Sequence, residues 1–419
     1  LLVGTGVYLS VAVGFIQFSK IGYWWKNTIG KIFKKGEAGD GEITPLQAVS
    51  TALASTVGTG NIAGVTGAII LGGPGAVFWM WIIALVGMMT KMAEVTLSVA
   101  YRKKGENGEF YGGPMHYIKE GLGGGLGKFL GGFYAVALFI LVVTDACFVQ
   151  TNTLATSAQD VFHIPLLVSG VVLVALVVIV MNVGLIPQVF GRIFSEAFDF
   201  QAIFAGFTGS AVMQGVKRGL FSNEAGVGSA PNAAAAADGS HPVKQGLVQM
   251  LSVFIDTLLI CSATAFMLLC SGVEPAVELQ GAPYVQSALA ASFGTLGPVF
   301  ITVAMVLFAF TTLIGNLYYV DNALAYLLGH VPSKRFMVVF RLIAMGLIFL
   351  GAGLTLDLVW NLSDVLMGVM VLINIPVIAV LSRPAAAALR NYTEQRRAGK
   401  NPVFRAADIG LKEKTEYWN

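Results

Sequence analysis

The sequence predicts an all-α protein that crosses a membrane many times. Of its 419 residues, 56% are hydrophobic and only 12% are charged, too little charge to cover a soluble surface. Mean hydropathy is +0.75, and several stretches of about twenty apolar residues are each long enough to cross the hydrocarbon core. The 50 glycines point the same way. Glycine destabilises the interior of a soluble helix, but in a membrane it permits close helix packing and breaks within helices. One transmembrane domain over 1–419 follows, although that length would suggest two or three soluble domains.

Other classes are excluded by what the composition lacks. A net charge of +3, with the cations in short loops, gives no sign of nucleic-acid binding. Cys147, Cys261 and Cys270 lie within or at the ends of apolar stretches, as buried small hydrophobes do, and suggest no disulfide framework. The four histidines are scattered without metal-ligand spacing. No nucleophile–base pair and no phosphate-binding loop is visible, so neither an enzyme nor an ATP-driven pump is expected, and no cofactor is implied. The chain begins at Leu1 rather than Met, so its true N-terminus is expected to lie outside the sequence.

Residues 1–18 read as most of a helix, and 20–42 as an interfacial segment carrying Lys20, Lys26, Lys31, Lys34 and Lys35. Apolar segments follow at 44–71, 74–100, 129–156, 164–185, 201–220, 245–270, 298–328, 336–356 and 358–382, and a polar, basic tail begins at Arg383. The excess of Lys and Arg on cytoplasmic loops orients the chain. Loops 20–42, 101–127 and 329–335 and the tail are basic and assigned to the cytoplasm, whereas 157–163 and 271–297 lack both residues. The middle does not close. One crossing each for 164–185 and 201–220 leaves Lys217, Arg218 and Lys244 outside, so one more crossing, or one fewer, is needed between 157 and 216.

The most informative stretch is Ala54-Ser55-Thr56-Val57-Gly58-Thr59-Gly60-Asn61-Ile62-Ala63-Gly64, in the middle of an apolar segment. Gly58, Gly60 and Gly64 weaken the helix there. Unwound backbone at that depth survives only where it lines a cavity or is buried in protein. Its freed carbonyls can coordinate a cation, and the N-terminus of the outer half-helix can receive a carboxylate. The alternative is a glycine packing face, which would not require the clustered Ser, Thr and Asn. A second interruption is read at Ala205–Gly215, with the opposite orientation that an inverted repeat requires; a poor amphipathic surface helix is its alternative.

Thr311 and Thr312 lie within the apolar run Val306–Leu317; their hydroxyls can bond back to their own helix or offer two hard oxygens to a small cation. Acids inside a membrane are costly and usually functional. Glu94 has Lys91 three residues before it, as in a helix-surface pair. Asp145 and Asp256 are possible coupling acids or braces for a helix break. Gln150 and Asn152 can bind an amino acid's ammonium and carboxylate, or simply bond between helices.

Three stretches resemble one family, the alanine or glycine:cation (sodium:alanine) symporters. They are Ser50–Gly64, Gly72-Gly73-Pro74-Gly75-Ala76-Val77-Phe78-Trp79-Met80-Trp81, and Gly219–Ala237 with its Gly-Leu-Phe-Ser-Asn-Glu-Ala-Gly-Val-Gly-Ser-Ala-Pro-Asn core. The resemblance runs over nearly the whole chain. It implies a leucine-transporter-type fold of two inverted five-helix repeats, 44–198 and 199–382, after an extra helix and interfacial segment at 1–43 and before a cytoplasmic tail at 383–419. Eleven helices are then expected. The family has two helices where this chain has only 164–185, so residues omitted near 170–180 are expected.

Carried over by position, the resemblance implies a sodium site from Ala54, Val57, Thr311 and Thr312, with Asn61 serving a second ion. It implies a substrate pocket from Gly58, Thr59, Gly60, Gln150, Asn152, Phe207, Thr208 and Gly209. The expected function is symport of Na+ or H+ with alanine or glycine by alternating access, as a monomer in a prokaryotic plasma membrane with a cytoplasmic C-terminus. A channel with a Gly-lined filter is the alternative. Such filters usually come from symmetry-related subunits, and two unlike breaks in one chain argue against it.

Overall fold

In a computed structural model of the chain, residues 1–19, 22, 56–105, 110–150, 183–198, 211–237, 239–351, 353–411 and 415–418 are described. Glycine and proline punctuate the helices. Helix α1 (Leu2–Ala12) and the short α2 (Ile16–Ser19) are followed, after the first break, by α3 (Ala63–Gly72). Gly73 turns the chain at φ 70 and Pro74 starts α4 (Gly75–Ala100), because glycine tolerates positive φ and proline suits a helix start. A two-stranded hairpin, β1 (Lys103–Lys104) and β2 (Phe110–Tyr111), leads to α5 (Pro114–Leu122) and α6 (Gly124–Thr144). The described elements continue with α7 (Ile186–Ala197), α8 (Ala211–Asn223), α9 (Ala230–Ala236) and α10 (Pro242–Cys270). Helices α11 (Ala282–Phe293), α12 (Leu296–Leu328), α13 (Lys334–Gly351), α14 (Leu356–Val380) and α15 (Ser382–Arg397) complete the order.

Five of these helices, α4, α6, α10, α12 and α14, are long and apolar enough to span a membrane. The chain is a multi-pass α-helical membrane protein. α4 is its spine, buried along most of its length. Small residues let its neighbours close in on it, as expected where lipid offers no hydrophobic drive for association. A Cβ at Gly215 of α8 would sit 2.4 Å from the carbonyl oxygen of Ala76, and one at Gly219, a turn on, 2.5 Å from the Ile83 side chain. Gly246 of α10 lies just as close to Thr96.

The tail folds back onto this spine. The Phe404 N–H donates to the Ser240 carbonyl at 2.8 Å, and the Trp418 indole donates to the Val99 carbonyl at 2.9 Å. The Arg102 guanidinium lies over the rings of Phe110, Tyr417 and Trp418 at 4.0, 4.6 and 4.8 Å. Trp418→Ala is expected to destabilise the protein by about 3 kcal/mol, read as a lowered thermal midpoint in detergent. An unchanged midpoint would show that this docking contributes nothing.

Candidate substrate and ion site

The first break falls where the glycines weaken the helix. Gly58 is extended (φ −141, ψ −161), Thr59–Asn61 form one tight 3-10 turn, and α3 resumes at Ala63. Asn61 holds the interruption: its Oδ1 accepts the Gly58 N–H at 2.9 Å. Its Nδ2 donates to Asp256 Oδ1 at 2.7 Å and to Ser222 Oγ at 3.1 Å. Asp256 sits in a π-helical stretch of α10, Phe254–Cys261. Its Oδ2 also accepts the hydroxyls of Ser222, at 2.5 Å, and Thr257, at 3.0 Å. This fully buried hub joins the first break, α8 and α10 at one point. Asn61 and Asp256, expected at an ion site and as a coupling acid, are both bonded within it.

Only part of the second break expected from the sequence, Ala205–Gly215, is described. Residues 211–215 are α-helical, and Phe207, Thr208 and Gly209 fall outside the described residues. An interruption that the sequence reading did not single out follows Asn223. Glu224, Gly226 and Gly228 take φ 52, 89 and 91 before α9 begins. Lys91 and Glu94 of α4 hold this loop open rather than forming a simple surface pair. The Lys91 ammonium donates to the Asn223 carbonyl at 3.0 Å, at the electronegative end of α8. Glu94 Oε2 accepts the Gly226 N–H at 3.1 Å and Asn374 Nδ2 at 3.2 Å. Tyr134 closes the loop by donating to the Val227 carbonyl at 2.7 Å.

Between the two breaks lies a cavity of about 30 Å³. Gly58, Gly60, Asp145, Gln150 and Thr312, all candidates from the sequence, line it with Phe221, Glu224 and Asn316. Thr59 tethers it by donating to Gln150 Oε1 at 2.7 Å. Asp145 opens the π turn that follows α6, and its Oδ2 accepts Asn316 Nδ2 at 2.8 Å. Glu224 accepts the Ser229 hydroxyl. Thr312 Oγ1 is buried and, among the described residues, without a hydrogen bond, and lies 2.5 Å from where a Cβ on Gly58 would stand. Buried polar atoms are nearly always bonded, so a bare hydroxyl facing broken-helix backbone is the kind of exception a ligand explains. The paired threonines part company here. Thr311 is exposed and bonds back to the Phe308 carbonyl at 3.0 Å. Val57 is buried beside the break, while Ala54 and Asn152 lie outside the described residues.

Toward the Gly72–Pro74 end, the Phe221 ring packs against Trp360, centroids 4.6 Å apart and planes tilted by 59°, and the Arg218 guanidinium covers the same indole at 4.3 Å. Arg218 also pairs with Asp364 at 2.7 Å, with Lys217 at 3.4 Å from the same carboxylate. Lys217 and Arg218 are therefore side chains of α8 neutralised by α14. They are not the start of a basic loop, and so they should not have entered the loop-charge count. The sequence reading also missed Glu224 and Asn316. An acid with Gly226 and Gly228 close behind it was a signal for a left-handed turn at the second break. Asn316 stands one helical turn after Thr312 and so shares its face.

Two interrupted helices meeting at a small polar cavity, plugged on one side by aromatic rings and an ion pair, define a membrane solute carrier. The chain belongs to the sodium:alanine symporter family, whose model matches residues 1–178 and 164–406. It is thereby a sodium-coupled amino-acid symporter and not an enzyme. It is 39% identical to the sodium/alanine symporter AgcS of Methanococcus maripaludis, over 95% of this chain and 94% of that protein. It is 36% identical to the amino-acid carrier protein AlsT of Bacillus subtilis, over 100% of this chain and 94% of that one. A third relative, from Bacillus subtilis and named "Probable sodium/glutamine symporter GlnT", is 37% identical over 96% of this chain and 89% of its own length.

Proposed function

We propose that this chain carries alanine and glycine into the cell with Na+ by alternating access, on a leucine-transporter-type inverted repeat. The observation that carries this reading is the Thr312 hydroxyl, without a hydrogen-bond partner among the described residues and held against the Gly58 backbone. A sodium ion there takes that hydroxyl and carbonyls of the first break, at Val57 and Ala54. Binding it ties α12 to the broken helix, and the substrate carboxylate then meets the N–H groups of Gly58, Thr59 and Gly60. Gln150 and the carboxylates of Asp145 and Glu224 supply acceptors for the substrate ammonium.

Three facts support the finer points. α3 runs from its break toward the Gly72 turn, and α8 runs from beside that turn toward its own break, as inverted repeats do. A cavity of about 30 Å³ holds only a water or two, so it must widen for alanine and far more for a larger side chain, which favours small substrates. The alignment with AlsT runs over 450 positions against 419 residues here, and the family match is split near residues 164–178. Both fit a family helix lacking in that region and eleven helices in full. The chain works as a monomer in the plasma membrane, with its basic tail in the cytoplasm.

The test is sodium activation of alanine uptake in two variants. Thr312→Ala should raise the half-activating sodium concentration roughly tenfold, the effect of losing one good ligand, with little change in preference among amino acids. Thr311→Ala, whose hydroxyl is occupied within its own helix, should change it little. Unchanged activation in both variants would rule out this ion site.

A further inference from the structure

A second groove lies away from the transport site, between α1 and α15. The Tyr8 hydroxyl and Ser382 Oγ, 3.1 Å apart, hold the two helices together at the start of α15. Beyond that contact they leave a space of about 330 Å³, within the usual range for a small-ligand site. One wall is apolar: Ala12, Val13 and Ile16. The other carries Arg390, Thr393, Glu394 and Arg397 of α15. Arg390 and Arg397 stand two turns apart on one face. Both are exposed, and among the described residues neither makes an ion pair.

The groove's depth in the membrane follows from its neighbours. α14 is long and apolar enough to span, and it ends at Val380, two residues before α15 begins. α15 buries Ala385, Ala388, Leu389 and Tyr392 and turns its charged face outward, as a helix lying at the headgroup level does. The groove's own apolar wall, Ala12, Val13 and Ile16, lies at the C-terminal end of α1 and in α2. An acyl chain would lie along that wall, and its headgroup would arrive between the two arginines.

We propose that this groove binds one anionic phospholipid with a hydroxylated headgroup, of which phosphatidylglycerol is the simplest. Guanidinium forks match phosphate oxygens, so Arg390 and Arg397 clamp the single phosphate. Glu394, between them, repels a second phosphate and accepts a headgroup hydroxyl. None of these residues lines the transport cavity, so this site stands or falls apart from the symport reading.

Native mass spectrometry of the full chain in detergent tests it, with phosphatidylglycerol, phosphatidylethanolamine and phosphatidylcholine offered in turn. One phosphatidylglycerol should be retained in preference to either zwitterionic lipid. Arg390→Gln and Arg397→Gln should each weaken retention roughly fivefold, from the free energy of one basic residue at an anionic surface. Arg383→Gln, exposed on the same helix but outside the groove, should not. Equal retention of the three lipids by the unaltered chain would overturn the proposal even if the variants failed to fold. So would full phosphatidylglycerol retention by Arg390→Gln/Arg397→Gln.

Discussion

Gly58→Ala is expected to lower sodium-driven uptake at least roughly a hundredfold, the scale on which a displacement of about 1 Å acts at a functional centre. The backbone is not the reason. Gly58 is extended, at φ −141 and ψ −161, a region open to any residue. The obstacle is space, because the new Cβ would stand 2.5 Å from Thr312 Oγ1 and 3.5 Å from its Cβ and Cγ2. Relief requires either rotating the Thr312 hydroxyl away or parting α3 from α12, and both dismantle the same ion site. Adding Thr312→Ala to Gly58→Ala removes the collision but also the hydroxyl. That pair should regain the thermal midpoint of the unaltered protein without regaining sodium dependence. Uptake by Gly58→Ala within about threefold of normal would show that the approach of Gly58 to Thr312 does not matter to transport.

Asp256→Leu should be the most destabilising single change at the breaks. The side chains are similar in size, so no large cavity forms, but Asn61 Nδ2 and the Ser222 and Thr257 hydroxyls lose their shared acceptor. Each buried donor left unbonded costs about 1–3 kcal/mol, so a loss of about 3–5 kcal/mol is expected in thermal unfolding in detergent. Asp256→Asn keeps one acceptor oxygen but turns an amide NH2 toward donors, and should lie between the two. If Asp256→Leu melts with the unaltered protein, the hub does not hold the first break.

The contrast between the breaks shows what the sequence can and cannot reveal. At the first, glycines and short polar residues interrupt an otherwise apolar run, and the chain unwinds within that run because the local propensity and the bonding of Asn61 agree. At the second, only 211–215 of the suggested stretch are described, and they are helical. Gly215 serves packing against α4, and the turn falls at Glu224–Gly228 because Lys91, Glu94 and Asn374 from distant helices bond the loop there. Gly226 and Gly228 hint at the turn locally, but the partners that hold it lie far away in the sequence. The same holds for Lys217 and Arg218. Their charge looks like a loop signal in one dimension, and only the fold brings Asp364 to them. The threonine pair divides for a simpler reason. Neighbours on a helix point about 100° apart, so one break cannot meet both equally, and Thr312 is the one that faces Gly58.

In the proposed mechanism, sodium bound at the first break drives uptake of a small amino acid. Uptake of labelled alanine into proteoliposomes, with and without an inward sodium gradient, tests it most directly. The expected result is saturable, concentrative uptake that needs the gradient and is blocked by unlabelled glycine. Alanine uptake that is the same with and without sodium, or none under either condition, would contradict it.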